Sequence, residues 1–316
     1  MKHKRSAGMA PHLKFRDVPG KAYEERELGA VHRTGPKELL DALTLVKKGT
    51  IYDLDSGRWP GMPVFPLHPP FIISSYRSPQ GLRNQQDFDD WFGENSVNMA
   101  PNTEIIIGTV HTGTHIDALC HTTCGSDSHW HGDYPERRFL GDFGPLTAEA
   151  SSIAPFICRG VLVDVAAYKG VDILEGKYQI TTEDIIGSLA TQGTEVRPGD
   201  AVIIRTGYMQ AWGVDSELAR RHHGSGIDRD VAVHLGDAGV ILVGADTEAV
   251  ERDPSPDPKN PHPVHIELLV KRGIHLLELV HVEDLARDKV YEFLFVCLPL
   301  RIKGATGSMV RPVAIV

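Results

Sequence analysis

The sequence predicts an α/β fold, a single domain with long decorating loops over residues 36–316, preceded by an N-terminal arm, residues 1–35. Three observations lead there. From residue 160 onward, short apolar runs rich in Val, Ile and Leu alternate with capped, helix-patterned stretches, the rhythm of strands followed by helices. No internal repeat or low-complexity tract interrupts the chain. Apolar residues make up 41% and charged residues 24%, as in an ordinary globular protein with a substantial core.

Pro36 opens a helical pattern in which Leu39, Leu40, Leu43 and Val46 recur at helical spacing, and Gly49 is a natural stop. Ile51–Leu54 reads as a strand, followed by a proline-rich passage from Pro60 to Pro70. Residues 80–98 are polar, with no core pattern around Asn84-Gln85-Gln86-Asp87, and are expected to form a loop. Thr103–Val110 alternates too little for a half-exposed strand and is expected to be buried, delivering His111 at its end. Residues 122–158 show little periodicity and read as an active-site loop. Strands then follow at Gly160–Val165, Ala201–Thr206, Val240–Ala245, Ile274–Leu279 and Tyr291–Leu298. Helices are expected at Glu183–Ala190, capped by Thr181/Thr182, at Arg229–Gly236 and at His265–Lys271.

The most informative stretch is His111-Thr-Gly-Thr-His115-Ile-Asp117-Ala-Leu-Cys-His121. It sets His111, His115, Asp117 and His121 at intervals of four, two and four. A lone histidine in a Thr-rich turn is ordinarily surface or core. This density of imidazole and carboxylate suits a divalent ion, zinc or, with more oxygen ligands, manganese or iron. In a fully extended strand His111 and His115 would lie roughly 13 Å apart, too far to share an ion. Gly113 between two threonines is a poor helix interior. The expected geometry is a strand ending in a tight turn at Gly113 and leading into a helix, which gathers His111, His115 and Asp117 around one point.

This pattern resembles the signature of the cyclase-like metal-dependent hydrolase superfamily, which holds bacterial kynurenine formamidase, isatin hydrolase and a metal-dependent dienelactone hydrolase. The resemblance extends to Ile51–Leu54 with Gly61–Pro66, to Gly199–Gly207, to Pro263-Val264-His265 with Gly273–Glu278, and to the closing stretch from Tyr291, roughly residues 40–316 in all. Leu119 stands where the family often has proline, and Phe65 falls where kynurenine formamidase has tryptophan. The resemblance implies a swivelling β/β/α domain with a mixed sheet. It also implies that His265 and Glu278 join the metal site, with Asp117 bridging a second ion; isatin-hydrolase-like relatives hold one ion, so one or two remain open.

Composition bounds the partners. A formal net charge of −9 and 7% aromatic residues argue against a nucleic-acid surface, which carries a basic stripe. No run approaches ~18 consecutive apolar residues, so no membrane span is expected. The opening Met-Lys-His-Lys-Arg-Ser-Ala-Gly lacks an apolar signal region. Cys120, Cys124, Cys158 and Cys297 make no disulfide framework, so reduced thiols in the cytoplasm are expected. Cys120 and Cys124 flank His121, but no second pair completes a structural zinc site. Residues 1–33 carry eight Lys/Arg against four Asp/Glu, a basic arm that either lies over a neighbouring subunit of a homo-oligomer, dimer or tetramer, or is solvated.

An ion held by His111, His115 and Asp117 keeps positions open for water and a substrate oxygen. His121 is the candidate general acid/base, since imidazole titrates near neutrality; the alternative is a third ligating imidazole or an orienting partner. Glu278 stands in the apolar run Ile274–Val280, where a carboxylate is unfavourable unless paired or metal-bound. Phe65 and Trp91 are candidate pocket walls for a small planar or aromatic substrate. His129 and His131 are weaker candidates, and His222-His223 among arginines reads as surface. Gly304–Ser308 lacks the lysine of a phosphate loop and reads as a bend between closing strands. No Gly-x-Ser-x-Gly elbow is present. The expected activity is metal-dependent hydrolysis of an amide, cyclic amide or imide, or lactone; the alternative is a lyase or cyclase that steadies an enolate without attack by water.

Overall fold

The computed structural model describes residues 13, 18–20, 23–93 and 95–316. Most of the basic arm expected at residues 1–33 lies outside the described residues, but its end does not behave as an arm. Residues 25–33 form two 3₁₀ turns, and Tyr23, Leu28, Ala30 and Val31 are buried in the main core. The domain therefore takes in residues N-terminal to the expected boundary at 35/36.

Among the described residues, a nine-stranded mixed sheet organises the chain. In chain order its strands are β1 (Ile51–Asp53), β2 (His115–Asp117), β3 (Phe156–Asp164), β4 (Ala201–Arg205), β5 (Leu242–Ala245), β6 (His275–Glu278), β7 (Glu292–Cys297), β8 (Gly307–Met309) and β9 (Val313–Ile315). The spatial order is β1-β9-β7-β3-β4-β5-β6-β2-β8. Strands β3 to β6 run parallel, while β7 and β9 on one side and β2 and β8 on the other pair antiparallel. The parallel centre is apolar almost throughout because helices cover it, as such sheets require: Val161, Leu162, Val163, Val202, Ile203, Leu242, Val243, Leu276 and Leu277 are fully buried.

The crossover helices follow their local signals. The Thr182–Gln192 helix starts in a capping box between Thr181 and Asp184 and stops at a left-handed Gly193. The Arg229–Asp237 helix is capped by the Asp228 side chain. The segment expected as a helix at 265–271 begins as a turn at Pro263–His265 and continues as a π-helix over Ile266–Arg272, a distortion often found at functional sites.

Two expectations fail on the same excursion from the domain. Residues 80–98 are not wholly loop, since Pro79–Gln85 and Asp89–Phe92 are short helices. Thr103–Ile107 is a strand, but it pairs only with Ile72–Arg77 in a separate two-stranded ribbon. All of its residues are exposed. The apolar run there signals a face that the described chain does not cover, rather than a place in the core.

Candidate metal centre

The turn at Gly113 is real, but it leads into strand β2 rather than a helix. The reason lies far away in sequence. β6 and β8 offer hydrogen-bonding edges on either side of residues 115–117, and these outweigh the weak local preference. In a strand alternate residues share a face. His115 and Asp117 therefore project together, while Ile116 between them is buried in the core. Gly113 adopts φ +59°, and a Cβ there would meet the Gly57 carbonyl at 2.7 Å, so the tight return of His111 over its own strand needs glycine. Arg58 fastens this turn. Its guanidinium donates to the carbonyls of Thr112 (3.0 Å), Thr114 and Val310 (3.0 Å), and pairs with Asp55 at 3.0 Å.

Cross-strand register supplies the second half. Glu278 is the direct neighbour of His115 in the β6–β2 pair, and its Oε2 lies 3.1 Å from His115 Nε2. His265 Nε2 stands 3.7 Å from Asp117 Oδ2 and 3.5 Å from Glu278 Oε1. His111 Nδ1 lies 2.9 Å from Asp117 Oδ1, without the alignment of a hydrogen bond. The His121 ring centroid is 4.1 Å from that of His111 and 6.1 Å from that of His265. The expected site residues His111, His115, Asp117, His121, His265 and Glu278 are thus brought together.

His115, His265 and His111 each have the remote nitrogen engaged, which fixes the atom they present. His115 Nδ1 donates to the Gly113 carbonyl at 2.8 Å. His265 Nδ1 donates to the buried Glu251, which also accepts the Val264 amide at 3.0 Å. His111 Nε2 is bonded to the Thr306 hydroxyl at 2.9 Å. Thr306, Arg58 and Glu251 carry no signal of these roles in the sequence, where the Gly-rich segment around Thr306 reads as a bend. Gly304–Ser308 is accordingly not only a bend, since Gly307–Met309 forms β8.

The electrostatics call for a cation. Asp117 is fully buried, yet neither of its carboxylate oxygens receives a hydrogen bond, nor does Glu278 Oε1. Unpaired buried carboxylates are strongly unfavourable. Burial alone would raise Asp117, but His121, His111 and His115 around it hold its carboxyl well below the usual range. Burial pushes His121 down to about 4, against the pull of Asp117, so its imidazole is neutral at pH 7. The residues fit a divalent ion. His111, His115 and Asp117 offer donor atoms all within 4.8 Å of one another, and so do Asp117, His121 and His265. Asp117 belongs to both groups, which suits one ion or two. Glu251, His262 and His265 form a further group of this kind. The cysteines are free and enter none of these groups.

The cluster lies in a cavity of about 250 Å³. Phe65 lines it together with Val64 and Leu67. Trp91 does not: it is 75% exposed and sits near Phe88 on the excursion. His129 bonds Asp127, His131 bonds the Val270 carbonyl, and neither lines the cavity. His223, expected on the surface, does line it.

The sequence model of the Cyclase family, described as "Putative cyclase", matches residues 52–252. Among solved structures, a novel cyclase is similar over 92% of this chain and 96% of its own, with 28% identity and a TM-score of 0.78. Isatin hydrolase A from Ralstonia solanacearum is similar over 84% of this chain and 91% of its own, with 21% identity and a TM-score of 0.60. Isatin hydrolase A from Labrenzia aggregata, bound to benzyl benzoate, is similar over 88% and 97%, also with 21% identity and a TM-score of 0.60. No protein with a curated description matches. The α/β fold with its mixed sheet is the one these structures share.

Proposed function

This chain belongs to the Cyclase family, and we propose that it is a metal-dependent hydrolase cleaving an amide, cyclic amide or imide, or lactone bond of a small planar or aromatic substrate. One observation carries the reading: both oxygens of the buried Asp117 carboxylate and Oε1 of the buried Glu278 receive no hydrogen bond, although four imidazoles, His111, His115, His121 and His265, surround them beside a cavity. Solved structures with this fold include isatin hydrolases, enzymes named for a cyclic amide. When bound by His111, His115 and Asp117, with His265 and Glu278 completing the set, Zn²⁺ or Mn²⁺ supplies Lewis acidity toward a carbonyl and acidifies water. His121 is neutral at pH 7 beside this cluster; it takes a proton from water and returns it to the leaving nitrogen or oxygen. Phe65 and its apolar neighbours hold the planar body of the substrate.

The test is a screen of formanilides, cyclic imides and lactones on metal-loaded protein in ¹⁸O-labelled water. A hydrolase places solvent oxygen in the product; turnover without label means a lyase or cyclase. The reading includes a homo-oligomer, dimer or tetramer. Ile72, Ile73, Ile105, Ile106 and Ile107 are exposed on the ribbon, and a two-stranded ribbon is marginal unless something covers it. A monomer by sedimentation at micromolar concentration would count against a second copy as the cover. The free cysteines suit a reducing, cytoplasmic setting, and among the described residues no helix is long and apolar enough to cross a membrane.

A further inference from the structure

Beside the metal centre, the same cavity has a polar wall with no part in the chemistry described above. Ser225 and Thr247 line it, and both are almost wholly buried, at 0% and 3% exposure. Neither Ser225 Oγ nor Thr247 Oγ1 has a hydrogen-bond partner among the described residues. Buried hydroxyls are nearly always bonded, so two orphans on the wall of one cavity mark a place where another molecule's polar atom belongs. Thr247 is close to the metal centre through the backbone, since its carbonyl accepts the amide of Leu279, the residue after Glu278, at 3.0 Å.

The surroundings of these hydroxyls are fixed. Glu248 accepts from Trp212 Nε1 at 3.2 Å and bonds His223 Nε2 at 2.9 Å, and the Tyr208 ring meets that of His223 edge-on with centroids 6.3 Å apart. This arrangement leaves Tyr208 and His223 held in place on the cavity wall. We propose that Ser225 and Thr247, backed by the His223–Glu248–Tyr208 cluster, form a subsite for an uncharged hydrogen-bonding group, a hydroxyl, keto or carboxamide, carried by the substrate away from the bond that is cleaved.

Charge selects this class. No lysine or arginine lines the cavity among the described residues, whereas Glu248, Glu251 and Asp253 do, and the histidines beside these carboxylates are already paired, His223 with Glu248 and His265 with Glu251, so a carboxylate on this wall meets repulsion. An ammonium group is less well served, because Glu248 is engaged by His223 and Trp212 and Glu251 by His265, which leaves Asp253 as the remaining carboxylate of the three. A hydroxyl both donates and accepts, which matches the capacity of Ser and Thr side chains. Sites built to bond a substrate hydroxyl discriminate strongly against analogues that lack it.

This inference deepens the hydrolase reading and rests on the same cavity, so its test uses ligands that cannot be hydrolysed. The affinities of 1-indanone and of its four ring-hydroxylated isomers are measured by calorimetry on the full chain loaded with Zn²⁺. At least one isomer should bind fivefold or more tightly than 1-indanone. That advantage should fall by more than half in Ser225→Ala, in Thr247→Val, or in the double variant, with zinc content and affinity for 1-indanone unchanged. The proposal is overturned if every isomer gains less than fivefold, binding by none included, or if the folded variants keep more than half of the advantage. A hydroxyl preference without any turnover of imides or lactones would instead sink the hydrolase reading and leave the subsite standing.

Discussion

Glu278→Gln keeps the shape of the side chain and removes one of the two buried negative charges that make the cluster a cation site. In the structure its carboxylate lies 3.1 Å from His115 Nε2 and 3.5 Å from His265 Nε2, so it is integral to the donor set. At an effective dielectric of about 20, a unit charge about 4 Å from a divalent ion contributes about 8 kcal/mol. The retained carboxamide dipole and the smaller desolvation penalty of a neutral group offset roughly three-quarters of that. A net loss of about 2 kcal/mol corresponds to metal binding weakened by about 30-fold. The assay is competition for Zn²⁺ against a chromophoric chelator at equilibrium, with far-ultraviolet circular dichroism to confirm an unchanged fold. A folded Glu278→Gln protein whose zinc affinity stays within threefold of the parent would refute the assignment.

Other perturbations separate the remaining roles. His115→Ala should strip metal and activity together, read by elemental analysis beside a rate assay; retention of a full metal complement would remove His115 from the ligand set. His121→Ala should keep its metal while kcat falls by about 10²–10⁴-fold, as for a lost general acid/base; loss of metal, with activity restored by excess ion, would make it a ligand. Glu251 sets an acid limit for the metal-free protein. Burial would raise it, but His262, His265 and the Val264 amide bring it from its ordinary 4.5 down to about 2. A depressed carboxylate contributes stability that is present above pH 4.5 and lost as the pH falls through 2, at most about 3 kcal/mol. The Tm of the metal-free parent should therefore drop across that window, and Glu251→Gln should be less stable at pH 6 with a flatter acid limb. Equal slopes for the two proteins would contradict this. His265 reports the same interaction, so it is counted once.

Much of the site was legible because its chemistry is concentrated in one short stretch. His111, His115, Asp117 and His121 stand within eleven positions, and a carboxylate at 278 in an apolar run has few ordinary explanations. The parts that were missed are those that depend on distant partners. Strand β2 was expected as a helix because its hydrogen-bonding edges come from β6 and β8, more than a hundred residues away. Arg58, Thr306 and Glu251 have no local pattern, since what they do is satisfy a carbonyl or orient a ring across the fold. His223 looked like surface among Arg220 and Arg221 until Glu248 was brought to it. The isoleucines at 105–107 were expected in the core, because hydrophobicity alone cannot separate a buried strand from an uncovered ribbon. The sheet centre was easier, since β3 to β6 are buried on both faces and read as continuous apolar runs.

The most direct test of the central claim is one experiment on metal-free and Zn²⁺-restored protein with a cyclic imide or lactone turned up by the screen, run in ¹⁸O-labelled water with the product analysed by mass spectrometry. A metal-dependent hydrolase gives no product without metal and, after restoration, product carrying one solvent oxygen. Full turnover by protein shown to be metal-free, or metal-dependent product without the label, would contradict the hydrolase reading.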